Sequence, residues 1–181
     1  PKRGSEGYGL SHAAIERCLQ EGERPDLLIT VDCGTVSIQE AAELRDLGID
    51  LVIVDHHEPI PGVRPHCVAL VNPKCGEAFT YLCAAGVVFK LGHALLKTRQ
   101  TNLDLKELID LVAVATISDI VLMVGENRLL VRHGQCVEIA CRRGAVVDPF
   151  PQARAAVDHI DGQLVEDVLV REIPPQVVVR I

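Results

Sequence analysis

Two short aliphatic runs constrain this chain more than anything else in it. Asp26-Leu-Leu-Ile-Thr-Val31 and Asp50-Leu-Val-Ile-Val54 are compact and rich in β-branched residues, the pattern of strands buried in a parallel sheet. Between them, Ser37-Ile-Gln-Glu40 reads as a capping box in which Glu40 reaches back to the Ser37 amide. The helix it opens runs through Leu44 and Leu47 to a stop at Gly48. Strand, helix and strand within about thirty residues make a βαβ unit. Its strands are expected to be parallel neighbours joined by a right-handed crossover.

The alternation continues on both sides. Leu10–Gln20 carries apolar residues at helical spacing, with Gly22 placed to end the helix. Pro59, Pro61, Gly62 and Pro65 mark a loop, after which Cys67-Val-Ala-Leu-Val71 reads as a third strand stopped by Asn72-Pro73. Helices are expected over Leu82–Lys97, over Leu103–Thr116 with Asn102 as cap, and from Glu126 to about Arg142. The class is therefore α/β, a doubly wound parallel sheet, over residues 1–144. Pro149, Pro151, Pro174 and Pro175 then break the pattern, and 145–181 forms a tail of unassigned structure.

Composition enters where it bounds the chemistry. Apolar residues are 48% of the 181 and charged residues 24%, enough to bury a core and to exclude a disordered chain. The aliphatic stretches are too short to span a bilayer, and no secretory signal is visible. The chain starts at Pro1 and its only methionine is Met123, as expected of a processed N-terminus or a piece of something longer. A net charge of −7 has the wrong sign for a general nucleic-acid-coating surface, yet leaves room for a carboxylate site that concentrates cations. The seven cysteines contain no C-x-x-C, which disfavours a disulfide framework or zinc ribbon and fits a reducing cytoplasm. Most are expected to be small buried hydrophobes.

Both central strands end on an aspartate, in Val31-Asp32-Cys33-Gly34 and in Val54-Asp55-His56-His57-Glu58. Ligands of open parallel sheets bind outside the carboxyl ends of the strands, so Asp32, Asp55, His56 and His57 converge on one crevice. Gly34 would let a ligand or the next turn approach the backbone. Asp119 follows a strongly apolar helix, where a charge needs a partner. Carboxylates and imidazoles without paired thiols suit manganese or magnesium better than zinc. A pair of such ions can polarise a phosphoryl group and lower the pKa of water. Each residue has a plainer alternative. Asp32 could cap a helix, the histidines could be structural, Asp119 could cap a helix or pair with an arginine, and Cys33 fits packing better than ligation.

These residues carry a resemblance. Asp55-His56-His57 after a hydrophobic strand resembles the signature of the DHH phosphoesterase family, Asp32-Cys33-Gly34 its second motif and Thr116-Ile-Ser-Asp119 its fourth. Glu6-Gly-Tyr-Gly-Leu10, Leu28–Gly34, Val71-Asn-Pro-Lys74, Ala84–Lys90 and Gly125-Glu-Asn-Arg128 are similar to the RecJ-type branch, single-strand-specific DNA exonucleases, and the likeness covers about residues 1–140. The resemblance implies that Asp32 bridges two manganese or magnesium ions, with His56 and Asp119 as further ligands. It implies that His57 contacts the scissile phosphate and that Asp55 orients the histidines. The implied reaction is phosphodiester hydrolysis releasing nucleotides from the 5′ end of single-stranded DNA. Lys74, Arg128 and Arg132 are candidates for phosphate contacts, with solvated surface charge as the alternative.

The likeness departs from the family in two places. The family's opening Asp-x-Asp metal motif precedes the Glu-Gly-Tyr-Gly-Leu segment, whereas here six residues precede Gly7 and none is an aspartate. The tail after Gly144 also has no Gly-Gly-Gly-His-like run of the DHH-associated domain. The chain is therefore expected to be the middle of a RecJ-type protein, itself weakly active or inactive. The alternatives are a phosphodiesterase of the same family acting on oligonucleotides or cyclic dinucleotides, a pyrophosphatase, and a catalytically incomplete scaffold module.

Overall fold

The computed structural model describes residues 8–20, 23–76, 79–99 and 103–142, the side chains of 135–142 excepted. The expectations placed on Glu6, Gly22, Asn102 and the 145–181 tail lie outside the described residues. The chain divides between Thr80 and Tyr81 into two units.

The first unit holds α1 (His12–Gln20), β1 (Leu27–Val31), α2 (Ile38–Asp46), β2 (Asp50–Val54) and β3 (Ala69–Val71). The strands form one parallel sheet in the order β1-β2-β3, as the aliphatic runs and the intervening helix require. Leu28 pairs with Leu51, Thr30 with Ile53, and Ile53 with Leu70. Alternation places Leu28, Leu51, Ile53 and Leu70 on one face, where they pack with Ile15 of α1 and with Ala41 and Leu44 of α2. Fully burying each large aliphatic contributes about 1.5–3 kcal/mol. This cluster fixes the height at which β1 and β2 end side by side.

The C-terminus of α2 forms as expected, around Gly48. Gly48 has φ +68, its amide donates to the Arg45 carbonyl, and the Ile49 amide donates to the Leu44 carbonyl. This is the paired 6→1 and 5→2 closure of a Schellman motif, completed by burial of Leu44 and Ile49 in the same cluster. The N-terminus differs from expectation. Ser37 occupies the N-cap position of α2, but its side chain makes no capping bond. Its hydroxyl donates instead to the Leu10 carbonyl at 3.5 Å, and its amide donates to the Gly34 carbonyl at 3.1 Å. The loop before α2 is tied to the chain entering α1, so neither half of the capping box is made. The third strand is shorter than expected, Ala69–Val71, although the Val68 amide still donates to Leu51.

The second unit holds α3 (Ala84–Thr98), a 3-10 turn over Leu105–Leu108, α4 (Ile109–Ser118) and α5 (Gly125–Arg142). The expected Leu103–Thr116 helix thus starts as the tighter turn, capped by Asp104, whose carboxylate accepts from the Lys106 amide. Val87, Phe89, Ile109, Val112, Ala113 and Leu130 are buried in this unit. Lys90 and Glu126 form a buried ion pair at 2.6 Å between α3 and α5. Asn127 donates to the Tyr81 and Leu122 carbonyls at 2.8 Å each, closing the loop that follows α4.

The expectation for the cysteines is corrected. Among the described residues Cys83 is buried, Cys33 and Cys67 are intermediate, and Cys18 and Cys75 are exposed. Cys18 lies on the solvent side of α1, and Cys75 stands between Lys74 and Gly76 in the 3-10 turn after β3. Among the described residues no helix is long and apolar enough to cross a membrane.

Candidate metal centre

The centre begins as a consequence of strand register. Val31 pairs with Val54, so Asp32 and Asp55 follow side by side at the carboxyl ends of β1 and β2. The ladder runs one step further on each side. The Asp32 amide donates to Val54 at 2.9 Å and the Asp55 amide to Val71 at 3.0 Å. The two aspartates then part in role. Asp32 takes φ +64 and its side chain is 49% exposed, whereas that of Asp55 is 1% exposed. A left-handed backbone is uncommon outside glycine and costs on the order of 1 kcal/mol. Here it turns the Asp32 carboxylate out of the sheet toward the histidines.

Gly34 lets the chain leave β1 in this way. It has φ +112, and a Cβ there would lie 2.8 Å from Thr30 Oγ1 and 3.2 Å from an Ile53 methyl. The close approach expected at Gly34 therefore comes from the sheet's own side chains. Because Ser37 is the N-cap residue of α2, Asp32 does not cap that helix.

Asp32, His56 and His57 each offer a donor atom, all within 4.8 Å of one another. His56 Nε2 lies 3.2 Å from Asp32 Oδ1, and the two rings are tilted with centroids 4.7 Å apart. One carboxylate and two imidazoles converging at the end of a sheet fit a divalent cation that accepts mixed oxygen and nitrogen ligands, manganese above all.

Asp55 lies behind them as an acceptor for the whole turn. Its Oδ1 accepts from the His56 amide at 2.8 Å, the His57 amide at 3.3 Å and His57 Nδ1 at 2.7 Å. Its Oδ2 accepts from the Thr35 amide at 3.0 Å. Burial alone would raise its pKa. The hydrogen bonds from the Thr35 and His57 side chains, with those from the Thr35 and His56 amides, outweigh burial and hold it at about 2. Asp55 is thus ionised, and the hydrogen between it and His57 resides on Nδ1. His57 Nε2 is the ring nitrogen that Asp55 does not hold, and it is the one placed to meet a ligand.

Thr35 and Asn72 are the two members that sequence reasoning passed over. Asn72 Nδ2 donates to Thr35 Oγ1 and to the His57 carbonyl, each at 2.9 Å. The sequence marks Asn72 as a strand stop and as part of the Val71-Asn-Pro-Lys74 resemblance, without a role in the site, and Thr35 carries no mark. The available signals were a hydroxyl directly after the Gly34 turn and a carboxamide directly after a strand. Cys33 is half-buried, and burial, followed by the Asp55 and Asp32 carboxylates, pushes its thiol pKa up. That favours packing over a thiolate ligand.

Lys74 lies beside the His57 segment, with Nζ 3.4 Å from the Glu58 carboxylate. Asp119, Arg128 and Arg132 belong to the second unit. Both arginines occupy exposed positions on α5. Asp119 is the exposed C-cap of α4, and its amide donates to Ala115. A carboxylate at a helix C-terminus opposes the macrodipole and has no orphan amides to cap, so the N-capping alternative falls.

The model of the DHH family, N-terminal domain, matches residues 3–116. The chain is 42% identical to the single-stranded-DNA-specific exonuclease RecJ of Bacillus subtilis over 137 residues, 74% of this chain and 16% of that protein. It is 38% identical to RecJ of Thermus thermophilus over 138 residues, 74% of this chain and 19% of that protein. A crystal structure of exonuclease RecJ bound to manganese superimposes with a TM-score of 0.64 at 34% identity, over 75% of this chain and 34% of that one. The chain thus spans less than a fifth of the length of these two curated relatives. Strand-end aspartates, a paired histidine turn and this match lead to one assignment: the chain belongs to the DHH family.

Proposed function

We propose that this chain carries part of the metal centre of a RecJ-type single-stranded-DNA exonuclease, hydrolysing phosphodiester bonds with manganese or magnesium. The observation that carries the reading is the Asp32, His56 and His57 cluster backed by a buried, ionised Asp55. Asp32, His56 and, from the second unit, Asp119 are the assigned metal ligands. A bound divalent cation supplies a lowered pKa for water and charge neutralisation at a phosphoryl oxygen. His57 contacts the scissile phosphate through Nε2, and Asp55 holds its ring. Lys74, Arg128 and Arg132 are assigned to phosphates of the strand. Residues 1–144 are read as a partial DHH domain and 145–181 as a tail, in a cytoplasmic protein acting 5′ to 3′ in DNA repair and recombination.

The sequence contains no Asp-x-Asp pair. The chain should therefore bind single-stranded DNA through the cation without digesting it efficiently. Fluorescence anisotropy with a 5′-phosphorylated single-stranded oligonucleotide tests this. Binding should require manganese and be lost in Asp32→Ala. Binding that is equal with and without the metal, or unaffected by Asp32→Ala, would refute the reading.

A further inference from the structure

Asn72 and Thr35, 7% and 2% exposed, sit beside the centre with no part in ligation. The orientation of the Asn72 amide is unambiguous. Its Oδ1 accepts from the Lys74 amide at 2.9 Å, and only the nitrogen end can face the His57 carbonyl. That nitrogen also donates to Thr35 Oγ1. The Thr35 amide donates to Asp55 Oδ2 at 3.0 Å, so the side chain held by Asn72 belongs to the residue whose backbone holds Asp55. Asp55 in turn receives His57 Nδ1–H.

We infer that Asn72 and Thr35 are positioning residues for His57. The relay Asn72–Thr35–Asp55 fixes the orientation and Nδ1–H tautomer of the imidazole, while Asn72 holds the same residue by its carbonyl. One residue on the strand end of β3 thereby sets both the backbone and, through two neighbours, the ring of the histidine assigned to the phosphate. Its importance to the reaction rests on that assignment of His57.

Two substitutions at one position separate this from packing. Thr35→Ser keeps the hydroxyl and loses a methyl, whereas Thr35→Val keeps the shape and loses the hydroxyl. A packing role ranks Val above Ser; the relay ranks Ser above Val. Nitrogen-15 NMR of the His57 ring in the metal-free chain should give a single Nδ1–H signature for the wild type and Thr35→Ser. Thr35→Val and the volume-preserving Asn72→Asp should give shifts averaged between tautomers. Binding of dAMP in the presence of manganese should weaken about tenfold in Thr35→Val and Asn72→Asp and change less than twofold in Thr35→Ser. Should Thr35→Val not fold, Asn72→Asp carries the test. A retained single Nδ1–H signature in either of these two, or Thr35→Ser behaving worse than Thr35→Val, overturns the inference. If the ring signatures follow the expected order but the wild type binds no manganese, the functional reading fails and the relay stands.

Discussion

Asp55 shows how a buried charge is kept at a strand end. Its carboxylate is almost fully enclosed, yet its pKa is about 2 against an ordinary 3.8, because amides, a hydroxyl and an imidazole all point at it. A depressed folded-state pKa contributes stability that is complete above the unfolded value and is lost as pH falls through the folded one. The shift corresponds to about 2 kcal/mol, present above roughly pH 5 and lost progressively toward pH 2. Urea unfolding of the wild type and Asp55→Asn at pH 6 and pH 2.5 measures it. The wild type should lose about 2 kcal/mol more than the variant over that interval, and parallel losses would contradict the assignment of charge.

At the scale of elements, the loop between β1 and α2 distinguishes two kinds of local signal. Gly34→Ala should cost on the order of 1–3 kcal/mol, because the new methyl meets Thr30 and Ile53 at a backbone angle that disfavours side chains. Ser37→Ala should cost less than the ~1 kcal/mol of a true N-cap, since the hydroxyl caps nothing and makes only one long bond to Leu10. Chemical denaturation of the two variants reads both; a Ser37→Ala loss as large as that of Gly34→Ala would restore the capping box. Strands, their parallel order and the α2 stop at Gly48 followed from local periodicity and one left-handed position, which the residues themselves dictate. The capping box failed because Ser37 is claimed by a carbonyl 27 residues earlier, and such competition between distant segments has no local signature. Asn72 and Thr35 escaped for the same reason, being 37 residues apart in sequence and joined only by the sheet. The cysteines misled because residue type alone does not determine which side of a helix or turn a side chain takes, as the exposed Cys18 and Cys75 show.

Over the whole molecule, the −7 charge reads as compatible with a nucleic-acid enzyme once carboxylates are used to hold cations against phosphates. The second unit places Asp119 at a helix end that electrostatics alone would leave to a cation or a neutral cap. Its ion pair between Lys90 and Glu126 is buried, so Lys90→Met should destabilise the chain by about 3 kcal/mol in thermal or urea unfolding, leaving Glu126 uncompensated. A loss under 1 kcal/mol would show the pair to be solvated. The central claim, that strand register builds a cation site from Asp32 and His56, is tested most directly by titrating the chain with manganese and following free ion by electron paramagnetic resonance. The account predicts saturable binding, weakened about tenfold or more by Asp32→Ala and by His56→Ala. It should be unchanged by Asp46→Asn, which removes a surface carboxylate paired with Arg45. Equal weakening by all three substitutions, or no saturable binding at all, would contradict it.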